Sequence, residues 1–146
     1  MRKKIAILGS TGSIGKSTLE VVRKDKKNFD IVLLTANNNY KKLIEQAKEF
    51  KVKNVLIKNK KFYKKVKNSL NSTKVYSGDT SIKKIISGKL DYTMSAIVGL
   101  AGLQPTIDVI KFSKILAIAN KETIICGWEI ISKDSNNVYL KVILNE

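Results

Sequence analysis

The 146 residues include no histidine, one cysteine and one proline. Without imidazole there is no Ser-His-Asp arrangement, no histidine-ligated zinc and no histidine acid–base chemistry. A single thiol, Cys126, excludes an intrachain disulfide and any site built from several cysteines. Placed in the apolar run "IIC", it reads as a packed side chain rather than a reactive one. Arginine is also scarce: of the 28 basic residues only Arg2 and Arg23 are arginine, so bidentate reading of bases has few donors. No apolar run approaches the roughly 20 residues of a membrane span. The basic start, "MRKK", leads into only four apolar residues before a glycine, too few for a signal-peptide core. A cytoplasmic location is the default expectation.

Lysine dominates what is present. The net charge is +16, against 12 acidic residues. Such a balance raises the question of nucleic acid or another anionic surface. The lysines crowd between Lys41 and Lys67, where only Glu45 and Glu49 oppose them. That span has helical apolar spacing, so its charges read as a solvated outer face rather than a nucleic-acid footprint. Hydrophobic residues make up 43% of the chain, enough for a core in one soluble domain over 1–146.

Short apolar runs alternate with amphipathic segments throughout, the pattern of a parallel α/β sheet. Strands are expected at Lys4–Leu8, Asp30–Thr35, Asn54–Ile57, Lys74–Tyr76, Tyr92–Ile97, Ile115–Ala119 and Val138–Leu144. Helices are expected at Ile14–Arg23, Tyr40–Phe50, around Phe62–Leu70, at Ser81–Ile86, from Pro105 through Phe112, and through Ile125, Trp128 and Ile131. Trp128 reads as a core or interface aromatic. The fold implied is α/β: a doubly wound, Rossmann-like, mostly parallel sheet with helices on both faces.

The stretch "ILGSTGSIGKS" at 7–17 holds two phosphate-loop patterns at once. A P-loop needs a glycine five residues before its Gly-Lys-Ser. Ser10 occupies that position, and no strand ends in an acid that would hold magnesium. The dinucleotide reading fits better: a strand, then Gly9 for the turn, Gly12 for close phosphate approach, and Gly15 for helix–strand packing. Thr11 and Ser13 add hydroxyl donors. The spacing G-x-x-G-x-x-G varies the usual rhythm, and a purely structural glycine turn is the alternative. The second strand ends in Asn37-Asn38-Asn39, where NAD-preferring folds place an acid. With lysines at 41 and 42 and no acid, NADPH is favoured over NADH; the competing reading is that the asparagines only make a turn.

Taken together, "GSTGSIG" at 9–15, "SAIVGLAGL" at 95–103 and "ANKE" at 119–122 resemble the 1-deoxy-D-xylulose 5-phosphate reductoisomerase family, in order from about Lys4 to Trp128. The resemblance implies an NADP-dependent oxidoreductase and isomerase of non-mevalonate isoprenoid biosynthesis. It places Thr11, Gly12, Ser13 and Ile14 on the NADPH pyrophosphate and ribose, and Asn37, Asn38 and Asn39 around the 2′-phosphate, where the family often carries a glycine and a basic residue. Asn120 and Glu122 would contact the cofactor and Lys121 the sugar phosphate; without the resemblance Lys121 reads as a surface lysine at a helix start. The family's Mg²⁺ or Mn²⁺ would be held by carboxylates in an Asp-Ser-Glu stretch not recognisable here, and Glu146 alone does not replace it. No catalytic and no metal-binding residue is therefore assigned to this chain. It is expected to be the NADPH-binding part of an enzyme whose full-length form is a homodimer, and to be inactive alone. A non-catalytic remnant, a basic nucleic-acid-binding module and another NADP-dependent reductase are the alternatives.

Overall fold

The computed structural model describes residues 1–143. Seven strands form one sheet: β1 (Lys3–Leu8), β2 (Phe29–Ala36), β3 (Asn54–Ile57), β4 (Lys74–Ser77), β5 (Leu90–Ser95), β6 (Ser113–Ile118) and β7 (Tyr139–Val142). Their order is β4-β3-β2-β1-β5-β6-β7, and every neighbouring pair is parallel. Between them run α1 (Ser13–Lys24), α2 (Tyr40–Phe50), α3 (Tyr63–Ser69), α4 (Ile82–Ile85), α5 (Leu103–Ile110) and α6 (Lys121–Asp134). The chain winds outward from β1 to β4, returns to the other side of β1, and winds outward again to β7. β1 therefore flanks the point where the strand order reverses.

Two apolar layers sandwich the sheet. On one face Leu19 and Val22 of α1, Leu43 and Ala47 of α2 and Val66 of α3 meet Ile5, Ile7, Ile31, Leu34 and Val55. On the other, Ile82 and Ile85 of α4, Val109 and Ile110 of α5 and Ile131 of α6 meet Ala6, Leu8, Leu33, Leu116 and Ile118. β1 feeds both layers through alternate residues, so it is apolar over its last four positions, as strands covered on both faces are. Each fully buried leucine or isoleucine contributes about 1.5–3 kcal/mol relative to exposure.

Most departures from the expected elements lie at their ends. β5 and β6 begin two residues earlier than the apolar runs, because Leu90 pairs with Ser113 in the ladder and the Thr93 and Ser113 hydroxyls bond each other at 2.7 Å inside the protein. Pro105 lies in the first turn of α5 as expected, but the helix begins two residues before it and ends at Ile110 rather than Phe112. The helix expected at Ser81–Ile86 shortens to a single turn, α4. Of the expected last strand Val138–Leu144, the ladder holds Tyr139–Val142, and Leu144 lies outside the described residues.

Two side chains on α6 need correction. Cys126 is exposed, not packed, and Trp128 is 50% exposed, which overturns the core half of its core-or-interface reading. The reason is helical phase: α6 buries Thr123, Gly127 and Ile131, and Gly127 is the close-packing position, where a Cβ would strike the Leu103 side chain. Cys126 and Trp128, one residue either side of Gly127, are turned away by that phase.

The fold makes two expectations. A Cβ on Gly15 would lie 2.6 Å from Ser10 Cα, so Gly15→Ala should lose about 2 kcal/mol or more in denaturant unfolding, while exposed Lys16→Ala should stay within about 0.5 kcal/mol. Separately, Glu49 accepts from Arg23 Nε at 2.6 Å and lies 3.1 Å from Lys26 Nζ. The Arg23 hydrogen bond holds the Glu49 pKa to about 2, from 4.5. A depressed folded-state value contributes stability above pH 4.5 that is lost as pH falls toward about 2. Melting temperature should fall across that window, and Glu49→Gln should flatten part of the fall.

Candidate functional site

Because all strands are parallel, their carboxyl ends share one edge of the sheet. There the loop after β1 turns at Gly9, whose φ is +81°. A Cβ on Gly9 would sit 2.7 Å from Ala96 O, so this position brings the loops after β1 and β5 into backbone contact at the strand-order reversal. Open α/β sheets bind ligands in the crevice at such a point.

The loop is held from behind by buried polar groups. Thr35, near the end of β2, accepts from Ser10 N through its carbonyl at 2.9 Å and from Gly9 N through Oγ1 at 2.9 Å. Ser10 Oγ donates to Gln46 Oε1 at 2.8 Å, and Gln46 Nε2 donates back to Ser10 O at 2.9 Å. This reciprocal pair ties the loop to the buried face of α2. Ser10, Thr35 and Gln46 were not among the residues expected from the sequence. The available signal was Gln46, a polar residue beside Leu43 and Ala47 in an otherwise apolar stripe.

In front, the loop is open. Gly12 begins α1 with extended backbone, no side-chain cap and no acid in the first turn. The first-turn N–H groups, with the positive end of the helix dipole, face outward as unneutralised donors. A Cβ on Gly12 would touch only Gly9 O, at 3.6 Å, so the missing side chain leaves room for a ligand rather than for protein. Gly12 and Ser13 are exposed and Thr11 and Ile14 half-buried. Lys16 is exposed on the helix surface, its N–H bonded to Gly12 O at 2.9 Å. The arrangement is an anion cradle of the dinucleotide kind.

The loop after β2 presents Asn37, Asn38 and Asn39, all exposed. Asn39 caps α2, its side chain accepting from Lys42 N at 3.2 Å, so the turn-making reading of these asparagines is realised at Asn39. From the loop after β3, Asn59 N donates to Asn37 O at 3.0 Å and Asn59 Nδ2 donates to Asn38 Oδ1 at 2.8 Å. Lys41 is exposed, and Lys42 pairs with Glu45 at 3.1 Å.

On the far side of β1, Asn120 follows β6 and is buried. Its Oδ1 caps α6 by accepting from Thr123 N at 3.1 Å, while its Nδ2 donates to Gly99 O at 2.6 Å and to Ile97 O. The side chain is thus committed to stapling the glycine-rich loop after β5 to the start of α6. Lys121, exposed, and Glu122, half-buried, are the next two residues on α6. Among the described residues no three His, Cys, Asp or Glu side chains gather where a metal ion would sit; Glu146 lies outside them. The described part of the chain therefore does not fit a divalent metal, and no step is derived through one. Among the described residues no helix is long and apolar enough to cross a membrane.

The sequence matches the family model for 1-deoxy-D-xylulose 5-phosphate reductoisomerase over residues 5–127. It is 54% identical over 138 residues to the reductoisomerase of Pelagibacter ubique (strain HTCC1062), covering 90% of this chain and 35% of that protein. It is 40% identical over 146 residues to that of Phocaeicola vulgatus, covering 98% and 38%. Among solved structures, the reductoisomerase from Zymomonas mobilis in complex with NADPH superposes with a TM-score of 0.90 at 30% identity, over 97% of this chain and 38% of that one. Homoserine dehydrogenase from S. aureus, at a TM-score of 0.54 and 17% identity, shares the fold alone. The chain spans little more than a third of the length of the relatives it matches. With its seven-stranded parallel sheet and glycine cradle, the chain belongs to the 1-deoxy-D-xylulose 5-phosphate reductoisomerase family.

Proposed function

We propose that this chain is the NADPH-binding part of an enzyme of that family. The observation that carries the proposal is the uncapped start of α1 at the strand-order reversal, with no Cβ on Gly12 between its N–H groups and a ligand. The pyrophosphate would lie on Thr11, Gly12, Ser13 and Ile14, and the adenosine 2′-phosphate against Asn37, Asn38 and Asn39. At the other end Asn120 holds the loop after β5 in place, Glu122 borders the cofactor, and Lys121 offers a cation to a sugar phosphate. NADPH, when bound, supplies a hydride. The protein's share is to orient the cofactor along the carboxyl edge by backbone donors that are fixed before binding and so reorganise little.

Several parts of the reading concern the longer family protein: the sugar-phosphate substrate, reduction coupled to rearrangement, a homodimer and a cytoplasmic location. A solved family structure carries NADPH, fosmidomycin and magnesium together, which places the cofactor and a metal in one relative. The competing reading, a basic nucleic-acid module, draws on the +16 charge. It is weakened by the pairing of several lysines with carboxylates, among them Lys53 with Asp30 at 2.7 Å and Lys114 with Asp91 at 2.8 Å.

Thermal unfolding with added NADPH separates the readings. NADPH should raise the melting temperature progressively with its concentration, by the equivalent of about 2.7 kcal/mol at a hundredfold excess over Kd. Gly12→Ala should sharply reduce that rise while costing the free protein no more than about 1 kcal/mol, since a Cβ there meets little protein and the loss is that of a poorer helix cap. No rise with NADPH, together with salt-sensitive binding to DNA or RNA, would favour the basic module instead. The chain alone should show no turnover of the ketose phosphate with magnesium; measurable turnover would show that the catalytic groups lie within these 146 residues.

A further inference from the structure

The loop Asn37–Asn39 carries no charge, yet it stands where an Asp or Glu would accept hydrogen bonds from a ribose diol in NAD-preferring folds. A carboxamide is ambivalent: its oxygen accepts and its nitrogen donates, and its two orientations are nearly isosteric. What such a loop recognises depends on which end faces out. That choice is made by a residue outside the loop.

Asn59 follows β3 and is held on three sides. Its side-chain Oδ1 accepts from the backbone N–H of Lys61 at 3.1 Å, its own N–H donates to Asn37 O at 3.0 Å, and its carbonyl accepts from Phe62 N at 3.1 Å. A backbone N–H only donates, so it fixes which end of the Asn59 carboxamide is oxygen. The Asn59 amino group is then left to donate to Asn38 Oδ1 at 2.8 Å. That bond in turn commits the Asn38 oxygen inward, and among the described residues the Asn38 amino group has no partner. Asn39 is fixed in the same sense: Lys42 N–H occupies its oxygen, leaving its amino group as the free end. Among the described residues, the amino groups of these two adjacent exposed carboxamides are thus their unpartnered ends.

We propose that Asn59 is the positioning residue for cofactor selectivity: it fixes the Asn38 amino group as an outward donor beside that of Asn39, which favours a phosphate on the adenosine ribose over a free 2′-hydroxyl. This rests on the NADPH reading of the site. A phosphate presents only acceptors at neutral pH, so it pairs with every donor of such a loop. A ribose hydroxyl gains less: the Asn38 and Asn39 oxygens are each already engaged by a protein N–H, and the loop carries no carboxylate to accept from the diol. The nearby carboxylates do not undo this: Glu45 is paired with Lys42 and Asp79 with Lys58.

The test is titration of the chain with NADPH and, separately, NADH, following nucleotide fluorescence. Asn59→Asp keeps the acceptor for Lys61 N–H but replaces the donor facing Asn38 with an acceptor, so Asn38 must turn its oxygen outward. NADPH affinity should fall about tenfold, the scale of one hydrogen bond to a charged group, with NADH affinity changed less than about twofold. In an Asn38→Ala background the same replacement should have a clearly smaller effect on NADPH, because no carboxamide remains to be turned. Asn59→Ser, which retains a short acceptor but cannot reach Asn38, gives an uncharged second variant and should also lower the NADPH-to-NADH preference. An unchanged preference in both Asn59 variants, or an equal loss with and without Asn38, would overturn the role of Asn59 while leaving the cofactor site intact. Absence of saturable NADPH binding by the unmodified chain would instead remove the cofactor reading and this inference with it.

Discussion

The closeness of three backbones at the end of β1 constrains everything around it. Gly9 lies against the Ala96 carbonyl, and Gly15 lets the first turn of α1 rest on the backbone of Gly9 and Ser10. A side chain at either glycine would have to displace backbone atoms, which are not free to move in a close-packed interior. With both positions bare, α1 starts directly over the strand-order reversal, and its open end points along the edge where the loops after β2, β5 and β6 also arrive. The buried polar pair of Ser10 and Gln46 then keeps this approach from relaxing.

Much of the architecture was legible in the sequence because periodicity reports burial. The strands covered on both faces read as continuous apolar runs, and α2 was found at its observed bounds from Leu43, Ile44, Ala47 and Phe50. Strand ends were less legible. Ser113 joins the ladder of β6 because its hydroxyl has a partner in Thr93 and an acceptor in Val109 O, and a polar residue's burial depends on partners far along the chain. The same reasoning explains α6. Its apolar residues nearly encircle the helix, so hydrophobicity alone did not give the phase. Gly127 gives it, by fitting against Leu103, and Cys126 is left outside.

The site divides in the same way. Glycines and short polar runs after strands marked the cradle and the asparagine loop directly, since backbone conformation and local caps leave a compositional trace. The supporting groups left almost none. Thr35, Gln46 and Asn59 act across sequence separations of about 20 to 36 residues, and a single carboxamide or hydroxyl does not announce its distant partner. Asn120 shows the opposite case. It stood out in the sequence within "ANKE", and its side chain spends both its ends on Thr123, Ile97 and Gly99, shaping the edge from within.

The position of β1 in the sheet also bears on how the chain acquires its structure. β1 pairs with β2 after one short crossover, but with β5 only after more than half the chain has been laid down, as in the pairing of Ile5 with Tyr92. Closing that long loop costs chain entropy before any contact across it repays the cost. The first winding, β1 to β4, can therefore collapse early as a local unit, leaving one edge of β1 as an unpaired row of N–H and C=O groups. Such an edge is a template for pairing with other chains. Until β5 docks there, the strand that leads into the glycine loop is an aggregation-exposed edge of the nascent sheet.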